Sequence, residues 1–312
     1  MAASALSHDP LWPRAGGWPA LTPGEWADLV LVGVPTHTRS LSPTQAHRTP
    51  AAVREALRRY SGHSVAVADP ARRGAAAEVD VTAALRIRDA GDLPDPDTAE
   101  GERAATARIG ELAASARLTV VLGGDNAATV PGALGVYGAH ITTAGLVTID
   151  AHHDVRDGDS NGSPVRRLVE AGLDPRRIVQ LGIGDFANSA AYRRRVREWG
   201  VTVVHRDELS LRPARDVVAE ALAVAGAAGG PVYVDVDVDV CDRSVAPACP
   251  ASVPGGLAAH ELRTLVRRLA RDPRVVGMDV VEVDAAADAS DGRTVRLAAL
   301  LVLEAATGLA LR

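Results

Sequence analysis

No lysine occurs anywhere in this chain, so its 34 fixed positive charges are all arginine. A Walker A loop is impossible without its lysine, and so is a Schiff base with pyridoxal phosphate or a carbonyl substrate. Cysteine is nearly absent. Cys241 and Cys249 give no disulfide framework and no zinc-finger spacing, and they read as ordinary small residues in a reducing cytoplasm. No uninterrupted apolar run reaches transmembrane length. The start, Met1 to Asp28, holds proline, glycine and three of the four tryptophans, but not the basic-then-apolar order of a signal peptide. Excess positive charge is missing too: the net charge is −5 and the pI about 6.0, which argues against a nucleic-acid surface. There is no internal repeat. A cytoplasmic protein acting on a small molecule, with no nucleic-acid or membrane partner, is the expectation.

What is present is concentrated in two stretches. Asp150-Ala151-His152-His153-Asp154 ends an apolar run, Ala144 to Ile149, that reads as a buried strand. Buried charges are normally paired or bound to metal. Val232 to Val240 alternates strictly, which as a strand puts Asp235, Asp237 and Asp239 on one face. Like charges in a row repel unless a cation sits among them. Hard divalent ions take carboxylate oxygen, and imidazole suits borderline transition metals, so the set points to Mn²⁺ ahead of Zn²⁺ or Fe²⁺. Asp235 is expected to be structural. His37, His47, His205 and His260 have no spacing that makes a ligand set.

The 312 residues suffice for one large α/β domain. Residues 1–27 read as an N-terminal extension and 28–312 as a single catalytic domain. Apolar strand-like runs at Leu29 to Val34, Leu85 to Asp89, Leu118 to Leu122, Ala144 to Asp150, Arg177 to Ile183, Val201 to His205, Pro231 to Asp239 and Val275 to Val283 alternate with helical spacings. Thr49 is expected to cap a helix that has Pro50 at its first position. The last helix spans Thr294 to Leu311. Such alternation predicts a three-layer α/β/α fold with a doubly wound, mostly parallel sheet of about eight strands. Ligands bind such sheets at the carboxyl ends of the strands, where Gly123 to Asn126, Asp150 to Asp154, Asp237 to Asp242 and Glu282 to Asp284 all lie.

These residues resemble the arginase–agmatinase–formiminoglutamase family, the ureohydrolases. The resemblance rests on Gly123-Gly124-Asp125-Asn126, on Asp150-Ala151-His152-His153-Asp154, on Asp237 to Asp242 followed by Pro254-Gly255-Gly256, and on Val280-Val281-Glu282-Val283. It covers roughly residues 28 to 311. It implies an arginase-like fold, two Mn²⁺ ions, hydrolysis of amidine or guanidine groups, and assembly as a homo-oligomer, a trimer or hexamer. It implies that Asp150 and Asp237 bridge the ions, that Asp154 and Asn126 complete one ion's shell, and that His152 and Asp239 complete the other's. Glu282 would face the amidinium nitrogens.

Asn126 stands where relatives carry an imidazole ligand, and an amide oxygen is a poorer ligand, so the ion there is expected to be weakly held. Asp150-Ala151-His152-His153-Asp154-Val155-Arg156 and Asn161-Gly162-Ser163-Pro164 look most like bacterial formiminoglutamases. These are manganese enzymes of histidine degradation that hydrolyse N-formimidoyl-L-glutamate to L-glutamate and formamide, with water activated by metal attacking the formimidoyl carbon. The resemblance then makes Asp154 and Glu282 catalytic. Arg156, Asn161, Arg166 and His153 are expected at the substrate, because an arginine fork matches a carboxylate. Two other readings stay open: an agmatinase- or guanidinobutyrase-like guanidino hydrolase, and a metal-poor, non-catalytic ligand-binding homologue.

Overall fold

The apolar runs become strands because nearly every residue in them is buried on both faces, as parallel sheets require. The computed structural model describes residues 9–67 and 76–312. Its strands are β1 (Ala27–Val34), β2 (His63–Val67), β3 (Ala76–Asp80), β4 (Ile87–Asp92), β5 (Ala116–Gly123), β6 (Gly145–Ile149), β7 (Ile178–Ile183), β8 (Thr202–His205), β9 (Val232–Val236) and β10 (Val275–Val280). Eight form one sheet in the order β4-β1-β5-β10-β9-β6-β7-β8, and every pairing in it is parallel. β2 and β3 pair as a separate two-stranded antiparallel sheet that the sequence pattern did not suggest.

Helices cover both faces. Thr49–Leu57, Ala214–Ala225, Ala259–Ala270 and Arg293–Ala310 share one core with the sheet, through residues such as Val53, Val217, Leu265 and Leu301. Ala99–Ala114, Thr129–Tyr137, Pro164–Glu170 and Ala190–Trp199 pack on the other face through Ile109, Tyr137, Leu168 and Val196. The three-layer, doubly wound fold is therefore as expected. No helix among the described residues is long and apolar enough to cross a membrane. The described part of the N-terminal segment lies along the sheet edge: Asp89 N–H donates to Pro19 O (3.0 Å), and Ala20 bridges Asp89.

Two local expectations are corrected. The alternating stretch does not stay extended to Val240. β9 ends at Val236, and Asp237 accepts the Asp239 N–H (2.8 Å) to open a 3-10 turn, Val238–Val240. An aspartate side chain offers the backbone this local bond in place of a ladder bond, and it also avoids three carboxylates in line. Thr49 does not cap its helix: it is the first helical residue, and Arg48 at the N-cap position makes no side-chain capping bond. Its hydroxyl instead donates to Val283 O and accepts from Ala285 N–H.

The sheet order places the site. β5, β10, β9 and β6 are the four neighbouring central strands, and their carboxyl ends carry Asn126, Glu282, Asp237 and Asp150. Gly124 lets the first of these ends close against the rest. A Cβ there would lie 1.9 Å from Thr36 O, and the Gly124 carbonyl accepts the Glu282 N–H (2.9 Å).

Candidate metal centre

The four strand ends bring two overlapping groups of ligand atoms together. Asp150, His152 and Asp239 present atoms all within 4.8 Å of one another, and so do Asp150, Asp154 and Asp237. Asp150 is common to both. His152 Nδ1 lies 3.0 Å from Asp239 Oδ2 and 3.4 Å from Asp150 Oδ1. Asp150 Oδ2 and Asp239 Oδ1 are buried with no hydrogen-bond partner. Buried carboxylate oxygens without donors are costly, and a divalent cation in each group is the partner their chemistry asks for. The oxygen-rich donor set with one imidazole fits such ions.

Two residues of the site are held in a backbone conformation that side chains normally avoid. Asp154 has φ +52° and Glu282 φ +60°. Strain of this kind costs of order 1–3 kcal/mol and gathers at functional sites. Glu282 Oε1 accepts from the Asn126 N–H (2.8 Å) and from Asn161 Nδ2 (2.6 Å).

Asn126 meets the second group through its nitrogen. Nδ2 donates to Asp154 Oδ2 (2.5 Å) and Asp237 Oδ2 (3.1 Å), while Oδ1 accepts from Thr129 Oγ1 (2.6 Å). To ligate a cation the amide must present its other end. Turned by half a revolution, Nδ2 would donate to Thr129 Oγ1, whose hydroxyl is free to donate to Asp279 Oδ2 (2.9 Å).

Burial sets the electrostatics. Desolvation, reinforced by the neighbouring acids, raises Asp154 and Asp237 well above the usual carboxylate range. It lifts Asp150 to about 6 with help from Asp239, and Glu282 to about 8 with help from Asp125. Burial alone would lower His152, but Asp239 and Asp150 outweigh it and hold the imidazolium up to about 12. For the acids, the folded pKa lies above the unfolded value of 3.8 or 4.5. For His152 it lies above 6.5. In both cases the folded protein binds more protons than the unfolded chain, so stability falls as pH rises through that window. Chelator-treated protein is therefore expected to melt lower at about pH 8 than at about pH 5, and a divalent cation should narrow the gap. Thermal melts at the two pH values, with and without chelator, check this; a chelated protein more stable at the higher pH would contradict it.

A cavity of about 270 Å³ opens onto both groups. His152, His153, Asp154, Arg156, Asn161, Asp237, Asp239 and Glu282 line it. Arg166, expected at the substrate, does not. Its guanidinium is spent on Arg156 O (2.7 Å), Gly158 O and Glu170, so it braces the loop that carries Arg156. Asn161 lines the cavity with its amide already engaged, Oδ1 by the Leu41 N–H (3.0 Å) and Nδ2 by Glu282. His153 borders the cavity, with Nδ1 2.7 Å from Gln180 Oε1. Ser42, Ser189 and Tyr192 also line it and were not foreseen. Ser189, which caps the helix Ala190–Trp199, was legible only as a helix start.

Comparison with known proteins agrees with this geometry. Formimidoylglutamase of Halalkalibacterium halodurans is 34% identical over 285 residues, 88% of this chain and 84% of that protein. The crystal structure of formimidoylglutamase from Bacillus subtilis superposes with a TM-score of 0.85 at 28% identity, covering 99% of this chain and 95% of that one. Trypanosoma cruzi formiminoglutamase, solved with Mn²⁺, superposes with a TM-score of 0.78 at 25% identity, covering 92% of this chain and 94% of that one. The arginase family model matches residues 27–308, and the chain belongs to the arginase family.

Proposed function

We propose that this chain is a manganese-dependent hydrolase that converts N-formimidoyl-L-glutamate and water to L-glutamate and formamide. The observation that carries the reading is the pair of ligand groups sharing Asp150 at a cavity that is also lined by a carboxylate, Glu282, and an arginine, Arg156. Relatives that bear this activity's name, and a neighbour solved with Mn²⁺, support it. Asp150, His152 and Asp239 would hold one Mn²⁺, and Asp150, Asp154, Asp237 and the Asn126 oxygen the other. When bound, the ions lower the pKa of water towards about 7 and stabilise developing negative charge.

The chain's own residues do the rest. Glu282 Oε1 is fixed by the Asn126 and Asn161 N–H donors, which leaves Oε2 to pair with the cationic formimidoyl nitrogens. That pairing keeps the amidine protonated and its carbon electrophilic. Water oxygen adds to this carbon, the bond to the glutamate nitrogen breaks, and that nitrogen takes a proton. Asp154, which lines the cavity, is assigned to take a proton from water and return it to the leaving amine.

Arg156 has no carboxylate partner among the described residues and lines the cavity, so it is assigned to a substrate carboxylate. It would repel the terminal cation of agmatine. Arg156→Ala is expected to raise KM roughly 10- to 100-fold with little change in kcat, because the unreacting end binds ground and transition states alike. An unchanged KM would remove Arg156 from the substrate. The reading as a whole is tested by hydrolysis of formimidoylglutamate against agmatine, arginine and guanidinobutyrate, with and without Mn²⁺. Turnover of a guanidino compound alone, or none with Mn²⁺ bound, would overturn it.

A further inference from the structure

The segment that carries Asp150, His152 and Asp154 has one bond of its own, from the His152 N–H to Asp150 Oδ1 (2.6 Å), and is otherwise held from outside. Two amides from the β7 side hold it. Gln180, in the middle of β7 and fully buried, donates from Nε2 to His153 O (3.0 Å). Its Oε1 lies 2.7 Å from His153 Nδ1. That oxygen can only accept, so Nδ1 carries the ring proton and Nε2 keeps the lone pair. Asn188, in the loop after β7, accepts the His153 N–H at Oδ1 (2.8 Å) and donates from Nδ2 to Ala151 O (3.0 Å). The Gly184 N–H donates to the same carbonyl (3.0 Å). Both ends of both amides are thus committed to Ala151 and His153, the residues that alternate with the three candidate ligands.

This bracing bears on the residue after His153. Asp154 sits at φ +52°, a conformation disfavoured for a residue with a Cβ, and nothing in a local Asp-Ala-His-His-Asp sequence enforces it. Fixing both the N–H and the carbonyl of the preceding residue helps to hold it, together with the Arg166 N–H bond to Asp154 O (3.2 Å). A glutamine amid the apolar residues of a buried strand is itself costly unless its amide is fully bonded. Gln180 does not line the active-site cavity, so substrate contact does not explain it; Asn188 does line it, but with both ends of its amide taken by the His153 N–H and Ala151 O.

We propose that Gln180 and Asn188 are positioning residues that set how Asp150, His152 and Asp154 are presented to the cations. The inference rests on the reading of this site as a Mn²⁺ centre. Partners of this kind typically alter metal affinity 10- to 100-fold. Gln180→Met and Asn188→Ala are expected to weaken Mn²⁺ binding by roughly that factor, measured from free Mn²⁺ by electron paramagnetic resonance. At saturating Mn²⁺, Gln180→Met should lower kcat and leave KM near the wild-type value. Nitrogen NMR of the His153 ring should find the Nδ1–H tautomer in the wild type and a mixture in Gln180→Met. Gln180→Glu, which keeps the acceptor for Nδ1–H, should restore the tautomer. If Gln180→Met fails to fold, Asn188→Ala carries the test, with recovery expected in Asn188→Asp, which keeps the acceptor for the His153 N–H. Tight wild-type Mn²⁺ binding that survives unchanged in the variants would overturn the positioning role alone. Wild-type protein that binds no Mn²⁺ would overturn the metal reading and this inference with it.

Discussion

Asp150→Asn is expected to leave the protein folded, strip it of most of its Mn²⁺ and cut turnover by about a thousandfold or more, the rate equivalent of the several kcal/mol that bound metal contributes. Asp150 belongs to both ligand groups, so its loss reaches both cations at once. The substitution is close to isosteric. One asparagine oxygen can still accept the His152 N–H, which Asp150 Oδ1 now takes at 2.6 Å, so the turn survives. What disappears is one negative charge and the buried oxygen that has no partner in the protein. Burial and Asp239 already push the Asp150 carboxyl up to about 6. Near neutral pH the charged form therefore costs the metal-stripped fold stability. Removing it should leave the stripped variant melting no lower than stripped wild type. Metal content after desalting, kcat at added Mn²⁺, and melting in chelator are the three measurements. Retained Mn²⁺ with wild-type kcat would place the cations elsewhere; lost turnover with a collapsed melting curve would make Asp150 structural.

The candidate ligand stretches were legible in the sequence because parallel-sheet chemistry writes them locally. Buried strands read as apolar runs, and each run breaks abruptly into charged residues at the end where such sheets bind ligands. Asp150, His152 and Asp154 lie within five residues, and Asp237 and Asp239 within three, so spacing singled out the two stretches, while the family resemblance chose among their residues. The same locality misled at Val232 to Val240. Alternation looked like a strand to its end, whereas Asp237 bonding to the Asp239 N–H folds the stretch into a turn. Arg156 and Arg166 looked alike from sequence. Only the fold shows one facing the cavity and the other spent on Arg156 O and Glu170. Gln180 and Asn188 carried no signal. Their partners lie 27 to 37 residues away, and a lone amide inside or just beyond an apolar strand has no pattern to betray it.

Glu282→Gln should lower kcat/KM by roughly 10²- to 10³-fold, the effect of removing one preorganised group aimed at reacting charge, while Mn²⁺ content stays at the wild-type level. Glu282 is in neither ligand group, which separates this outcome from that of Asp150. Its surroundings make the amide a poor replacement. Asn126 N–H and Asn161 Nδ2 both donate to Oε1, so a glutamine must turn its oxygen to them. Its NH₂ then faces the cavity, and donors meet the donor nitrogens of a protonated formimidoyl group. The pH dependence adds a second reading. Burial, with Asp125, raises the Glu282 carboxyl to about 8, and a cationic substrate or nearby Mn²⁺ brings it down again. Because the ionised form is the useful one, wild-type kcat/KM should fall as pH drops through that pKa, and the variant should lack this limb. Glu282→Asp would keep the charge, but its shorter arm gives up either the Asn161 donor or the substrate. It should therefore retain the pH limb at reduced rate. A glutamine variant with the wild-type pH profile and rate would mean that the amidinium is held by another group.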